Sequence, residues 1–119
     1  MDIRKNPLGE KSFAFALRAI ETQKVLISKN KEFIMSRQMA RSATAVGAMI
    51  RESEYASSRA DFTHKLTIAL KEANETEYWL DLLLATGYVS LENHNDLQAK
   101  CKELIRMLVA SIKTAKGNM

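Results

Sequence analysis

The spacing of apolar positions divides the chain into four helical runs, of which the third is the longest and most informative. From Asp61 it continues for 26 residues of mostly strong helix formers, free of Pro and Gly until Gly87. As one helix rising 1.5 Å per residue it would span about 39 Å, a rod that needs partners alongside it. At 100° per residue Phe62, Leu66, Ala69, Leu70, Ala73, Leu80 and Leu84 share about one third of the circumference and form a core-facing side. Ile68, Tyr78 and Leu82, with His64 and Glu75 among them, line the nearly opposite side. A second apolar stripe on a helix already facing a core marks a candidate subunit interface. Glu77 falls inside the core arc. Such a carboxylate either pairs with a base from the second or fourth helix, Arg51 being one choice, or tilts to the rim.

The other runs supply the partners. Asn6-Pro7 offers an N-cap followed by Pro at the first helical position, and Phe13, Leu17, Ile20 and Ile27 then recur at helical spacing to about Asn30. Lys11, Arg18 and Lys29 form a separate line on that helix. The connection 29–36 is expected to tuck Phe33 and Ile34 against the bundle, and Ser36 to cap the second helix. There Met39, Ala43, Val46 and Ile50 make the core stripe. Ala40, Ser42, Thr44, Ala45, Gly47 and Ala48 around them are small enough for a neighbouring helix to approach closely. Ser58-Arg59-Ala60-Asp61 fits a capping box opening the third helix, and Gly87 suits a left-handed C-cap closing it. Ser90, or Asn93 with Asp96, can cap the fourth, whose core stripe is Leu97, Cys101, Leu104, Leu108 and Ile112. Four helices with short connections predict an all-α, antiparallel up-down-up-down four-helix bundle, with residues 1–119 as one domain.

Composition adds charge asymmetry to this frame. Residues 1–51 carry 10 Lys and Arg against 4 Asp and Glu, residues 52–96 carry 3 against 9, and residues 97–119 carry 5 against 1. Basic outer segments flanking an acidic middle indicate a nucleic-acid face, or segments that neutralise one another within a bundle or between subunits. Lys102, Arg106 and Lys113 lie 140° to 180° from the fourth helix's core stripe and therefore face solvent, which makes them the leading candidates for phosphate contacts. Arg37 and Arg41 on the second helix come next. No aromatic platform accompanies these bases, so binding would be to backbone, salt-sensitive and weakly sequence-specific. The alternative is a solvated basic face.

Chemistry is sparse. No phosphate-cradling glycine motif, nucleophile elbow or C-x-x-C occurs. A bundle di-iron centre needs a Glu-x-x-His from each of two helices, whereas this chain has only Asp61-x-x-His64, so no metal or other cofactor is expected. Arg59-x-x-x-x-His64 matches a pattern found in small all-helical ribonucleases of the HEPN superfamily, with His64 in acid-base catalysis and Arg59 stabilising phosphorane charge. That pattern is short and easily met by chance. The lone Cys101 sits on a core stripe and reads as a buried, inert thiol. The single cysteine, the absence of an apolar leader and the lack of an apolar run of membrane-spanning length give the expectation of a soluble cytoplasmic protein without a membrane partner.

Two blocks carry a family resemblance, SRQMARSATAVGAMIRE (36–52) and ADFTHKLTIALKEANETEYWLDLLLATGYV (60–89), supported more weakly by ELIRMLVASIKT (103–114). They resemble the bacterial four-helix-bundle family of proteins encoded in intervening sequences of 23S rRNA genes. The resemblance implies an antiparallel bundle assembling as a ring-like homopentamer. It also implies kinship with the accessory variability determinant of diversity-generating retroelements, a more basic pentamer that binds nucleic acid and a reverse transcriptase. The family brings no catalytic motif to these residues. The expected function is therefore a non-enzymatic, homo-oligomeric accessory protein that binds RNA or DNA, with a protein-binding scaffold as the alternative and the HEPN-like nuclease behind it.

Overall fold

The computed structural model describes residues 6–117, which form four helices: α1 (Pro7–Asn30), α2 (Met35–Ser53), α3 (Arg59–Ala85) and α4 (Leu91–Gly117). They pack as an antiparallel up-down-up-down bundle in which α1 borders α2 and α4, and α3 borders α2 and α4. The rod measures 48 × 24 × 22 Å, as helices of up to 27 residues require.

Capping sets the helix boundaries. Asn6 accepts a hydrogen bond from the Gly9 amide at 3.1 Å, with Pro7 at the first helical position, and its amide also bonds the Glu54 carboxylate at the end of α2. Ser58 accepts from the Asp61 amide at 3.0 Å, and Asp61 reaches back to the Ser57 amide at 3.1 Å, one residue further than the ordinary capping box. Gly87 has φ 83°, and the bonds Tyr88 N–H to Leu83 C=O (2.9 Å) and Gly87 N–H to Leu84 C=O (3.0 Å) complete a Schellman motif. Ser90 caps α4 by accepting from the Asn93 amide at 3.1 Å.

The start of α2 departs from the sequence expectation. Ser36 lies inside the helix, and the cap is Glu32, whose carboxylate accepts from the amides of Ile34 (3.0 Å), Met35 (3.1 Å) and Ser36 (2.7 Å). The Ser36 hydroxyl donates instead to the Glu32 carbonyl. Glu32 is only 7% exposed, so it is this residue that turns inward, while Phe33 and Ile34 stay exposed, Ile34 at 78%. Burial alone would raise the Glu32 carboxyl, but the amides of Ser36, Met35 and Ile34 and the Ser36 hydroxyl hold it below its ordinary value. At the preceding C-cap, Lys31 takes the left-handed conformation with φ 55°.

The core stripes of α2 and α4 sit where their spacing places them. Met39, Ala43, Val46 and Ile50 meet Leu97, Cys101, Leu104 and Leu108 in one buried cluster, with Ile112 packed at its edge. In α3, Leu66, Ala69, Ala73 and Leu80 are buried and Phe62, Leu70 and Leu84 are partly so. Leu83, Thr63 and Thr76 join them. The Thr76 hydroxyl lies 2.8 Å from Ser42 Oγ, a small-to-small contact that draws α2 and α3 together.

In α1 the expected stripe is out of phase. Phe13 and Leu17 are exposed, at 56% and 50%, and the buried residues are Ser12, Phe15, Ala19 and Leu26. Apolar residues occur all round α1, so periodicity alone leaves its phase undetermined. The close approach to α2 decides it: a Cβ on Gly47 would lie 3.6 Å from the Ser12 carbonyl and hydroxyl oxygens, so the α1 face with small Ser12 closes on α2.

Candidate nucleic-acid interface

The basic residues separate into two groups once the helices are placed. The first holds the bundle together. Lys11 pairs with Glu103 (3.0 Å) and Arg18 with Asp96 (3.1 Å), fastening α1 to α4. Arg41 bonds Glu72 (3.0 Å) and Glu75 (2.5 Å), fastening α2 to α3, and Lys65 pairs with Glu52 at 3.4 Å. The hydrogen bonds that Arg41 donates to Glu72 and then to Glu75 raise its pKa further above its ordinary value. The Trp79 indole N–H, 3.0 Å away, and Arg41 keep the Glu75 carboxyl low. Lys102 bonds Glu77 at 2.7 Å, and that contact raises the lysine pKa. This resolves the odd carboxylate of α3: Glu77 sits at the rim and takes a base from α4, not Arg51. Arg41 and Lys102, both candidates for phosphate contact, are thus committed to carboxylates within the chain.

The second group is free of such partners. Arg37, Arg106 and Lys113 are exposed and have no ion pair with another described residue. Arg106 and Lys113 lie in the C-terminal half of α4, where no acidic residue follows Glu103 and Lys116 adds another base. By helical geometry Lys102, Arg106, Val109, Lys113 and Lys116 fall within roughly an 80° arc and extend roughly 21 Å. A base in the last turn also suits the negative end of the helix dipole. Lys116 escaped the sequence reading, although the acid-free run after Glu103 was the signal for it.

A polar cluster that sequence reasoning missed joins α3 to α4. Asp81 lies 2.8 Å from His94 Nε2 and accepts from the Gln98 amide, also at 2.8 Å. His94 in the first place, with Gln98, lowers the Asp81 carboxyl against its burial. No group of three or more His, Cys, Asp or Glu among the described residues is placed to hold a metal ion. Arg59 and His64 are both exposed on α3, and five residues of helix set them about 140° apart around the axis, so one copy does not bring them together. Cys101 is fully buried beside the Ala73 carbonyl, 3.2 Å away, and burial first, then the Glu77 charge, pushes its thiol up to about 12.

The proposed interface stripe of α3 faces outward, with Tyr78 exposed and edge-on to Trp79, and with Ile68 and Leu82 half-buried. Another apolar surface lies between α1 and α2, where Gly9, Phe13, Ala16, Thr44, Gly47, Ala48 and the 83% exposed Tyr55 line a groove of about 970 Å³. No helix among the described residues is long and apolar enough to cross a membrane.

Comparison with known proteins agrees with this architecture. The family model described as 23S rRNA-intervening sequence protein matches residues 4–110. A crystal structure of a protein of unknown function from the S23 ribosomal protein family of Bacteroides thetaiotaomicron is similar at 49% identity and a TM-score of 0.88, covering 89% of this chain and 98% of that one. No curated protein matches the chain. With nearly its whole length matched and the four-helix bundle in place, the chain belongs to the family of 23S rRNA-intervening sequence proteins.

Proposed function

We propose that this protein is a non-enzymatic, homo-oligomeric accessory protein that binds RNA or DNA through the phosphate backbone. The observation that carries the reading is the unequal use of its cations. Arg41 and Lys102 are paired with carboxylates of α3 at the bundle surface, whereas Arg106, Lys113 and Lys116 stand together on an acid-free half helix. Unpaired, clustered and solvent-facing cations are what phosphate contact requires. The rRNA association in the family name makes structured RNA the first ligand to try. Assembly as a ring, a pentamer by the family resemblance, would repeat the ridge on each subunit and raise avidity without new contacts.

The test is fluorescence anisotropy on a structured RNA at low salt, with gel analysis of the RNA afterwards. Arg106→Glu with Lys113→Glu should weaken binding at least tenfold, and Arg41→Gln should change it less than threefold. Equal losses in both, or no binding by the wild type, would remove the proposal. Intact RNA is expected; cleavage abolished by His64→Ala would favour the nuclease reading instead.

One observation favours a second reading. Phe13 and Tyr55 are exposed at the α1–α2 groove, as a protein-binding scaffold would have them, with a reverse transcriptase as one such partner by the family resemblance. A single protein partner recovered from lysate after nuclease treatment, by the wild type and by the Arg106→Glu, Lys113→Glu variant alike, would support it.

A further inference from the structure

Beside the basic ridge, α3 and α4 leave an aliphatic notch between them. Leu70 of α3 and Val109 and Ile112 of α4 line it with Lys113, Lys116 and Gly117, around a space of about 500 Å³. Leu70 and Ile112 pack against the core and make its floor, whereas Val109 is 47% exposed and stands at its side. The two lysines are the only lining residues with a polar side chain. The surroundings are free of competing acids. No acidic side chain occurs between Asp61 and Glu72 on α3 or after Glu103 on α4, and Glu72 is already taken by Arg41. Lys113 and Lys116 form no ion pair with another described residue. An apolar notch in a cationic surface suits a ligand that is anionic along its length and carries flat apolar faces. In an uninterrupted duplex those faces are stacked out of reach, and only an unpaired nucleotide offers one.

We propose that this notch receives one unpaired nucleobase of an RNA whose phosphates lie along the ridge. The inference rests on the nucleic-acid reading above and narrows its ligand class to a helix interrupted by a bulged or looped-out nucleotide. Lys113 and Lys116 stand about 4.5 Å apart along α4, so their long, flexible side chains serve the phosphates on either side of that nucleotide. Leu70, Val109 and Ile112 cover one face of the base and remove apolar surface from water. With no donor or acceptor aimed at the base edge, the notch distinguishes unpaired from paired nucleotides without reading which base is present.

Three RNA hairpins test this by fluorescence anisotropy: one fully paired, one with a single unpaired adenosine in the stem, and one with an abasic site in place of that adenosine. The wild type should bind the bulged hairpin about fivefold more tightly than the paired one, and the abasic hairpin like the paired one. Val109→Asn, at an exposed helical position, should bring the bulged and paired hairpins within about twofold of each other, with circular dichroism melts establishing that it stays folded. Arg106→Glu with Lys113→Glu should weaken binding to all three. No binding to any hairpin would overturn this inference together with the proposed function. Binding that is equal for paired and bulged RNA, and still lost in Arg106→Glu with Lys113→Glu, would overturn the notch alone. So would an abasic hairpin bound as tightly as the bulged one, since helix flexibility and not the base would then be recognised. A Val109→Asn protein that keeps the preference, or that sediments differently from the wild type without RNA because a second copy fills the notch, would overturn it as well.

Discussion

Removing the Glu32 carboxylate should expose how much one buried side chain contributes to the α1–α2 corner. It accepts from three consecutive amides at the start of α2, at 2.7 to 3.1 Å, where the helix has no other side-chain cap. Loss of an N-cap costs about 0.5 to 2 kcal/mol, and leaving a buried donor unpaired costs about 1 to 3 kcal/mol. Both costs count the same three amides, so they overlap. Glu32→Ala should then lose about 2 to 3 kcal/mol. Glu32→Gln keeps one acceptor oxygen without its charge and should lose about 1 to 2 kcal/mol. At about 3 to 6 °C per kcal/mol for a chain of this size, the alanine variant melts roughly 6 to 18 °C lower.

The pH dependence supplies an independent check. The native carboxyl is held below its unfolded value, so the unfolded chain binds the proton more readily and acid favours unfolding. The stability that Glu32 contributes is fully present above the unfolded carboxylate pKa of about 4.3 and is lost as pH falls through the lower native pKa. Denaturant melts followed by helical circular dichroism should therefore show wild type and Glu32→Gln separated by a constant margin at neutral pH, and converging in acid. Equal stability at neutral pH, or a margin that widens in acid, would refute the capping argument.

Other parts of the structure make equally direct predictions. Lys31→Gly relieves a left-handed C-cap and should stabilise the protein by about 0.5 to 1 kcal/mol in the same melts, whereas a loss would show that Lys31 contributes more than its backbone strain costs. The two interior helical glycines should respond in opposite ways. Gly47→Ala meets Ser12 at ordinary contact distance and should raise stability by up to about 1 kcal/mol, whereas Gly9→Ala drives a Cβ into the Asn6 cap and should lower it by about 0.5 to 2 kcal/mol. Cys101, buried and with its thiol pushed up to about 12, should resist iodoacetamide in the native state at mildly alkaline pH and react promptly once unfolded. Native labelling at the rate of a free thiol would contradict its placement.

What sequence could disclose depended on how much choice each helix left open. Met39, Ala43, Val46 and Ile50, and likewise Leu97, Cys101, Leu104 and Leu108, are well-separated apolar lines, so one face could be assigned to the core. In α1 the run Phe13-Ala14-Phe15-Ala16-Leu17 is apolar on every side, and the packing on α2 and α4, with Ser12 set against Gly47, selects the buried face. Glu32 was hidden for a different reason: N-caps are ordinarily short polar side chains next to the helix, whereas here a longer carboxylate reaches over from the turn. The need of Glu77 for a partner was legible from its position, but the identity of Lys102 depends on the register of α3 against α4. The packing of α3 against α4 and against α2 pairs Lys102 and Arg41 with carboxylates and leaves Arg37, Arg106 and Lys113 without an ion pair to another described residue, a distinction that charge counting cannot make.

That distinction is tested most directly by the salt dependence of RNA binding. Taking one cation off a phosphate reduces the slope of log Kobs against log salt by about 0.7 to 0.9. With Arg106 and Lys113 both on the nucleic acid, Arg106→Glu with Lys113→Glu should flatten the slope by about 1.4 to 1.8 per engaged subunit, while Arg41→Gln leaves it unchanged. A wild-type affinity indifferent to salt, or a slope equally affected by Arg41→Gln, would contradict the account.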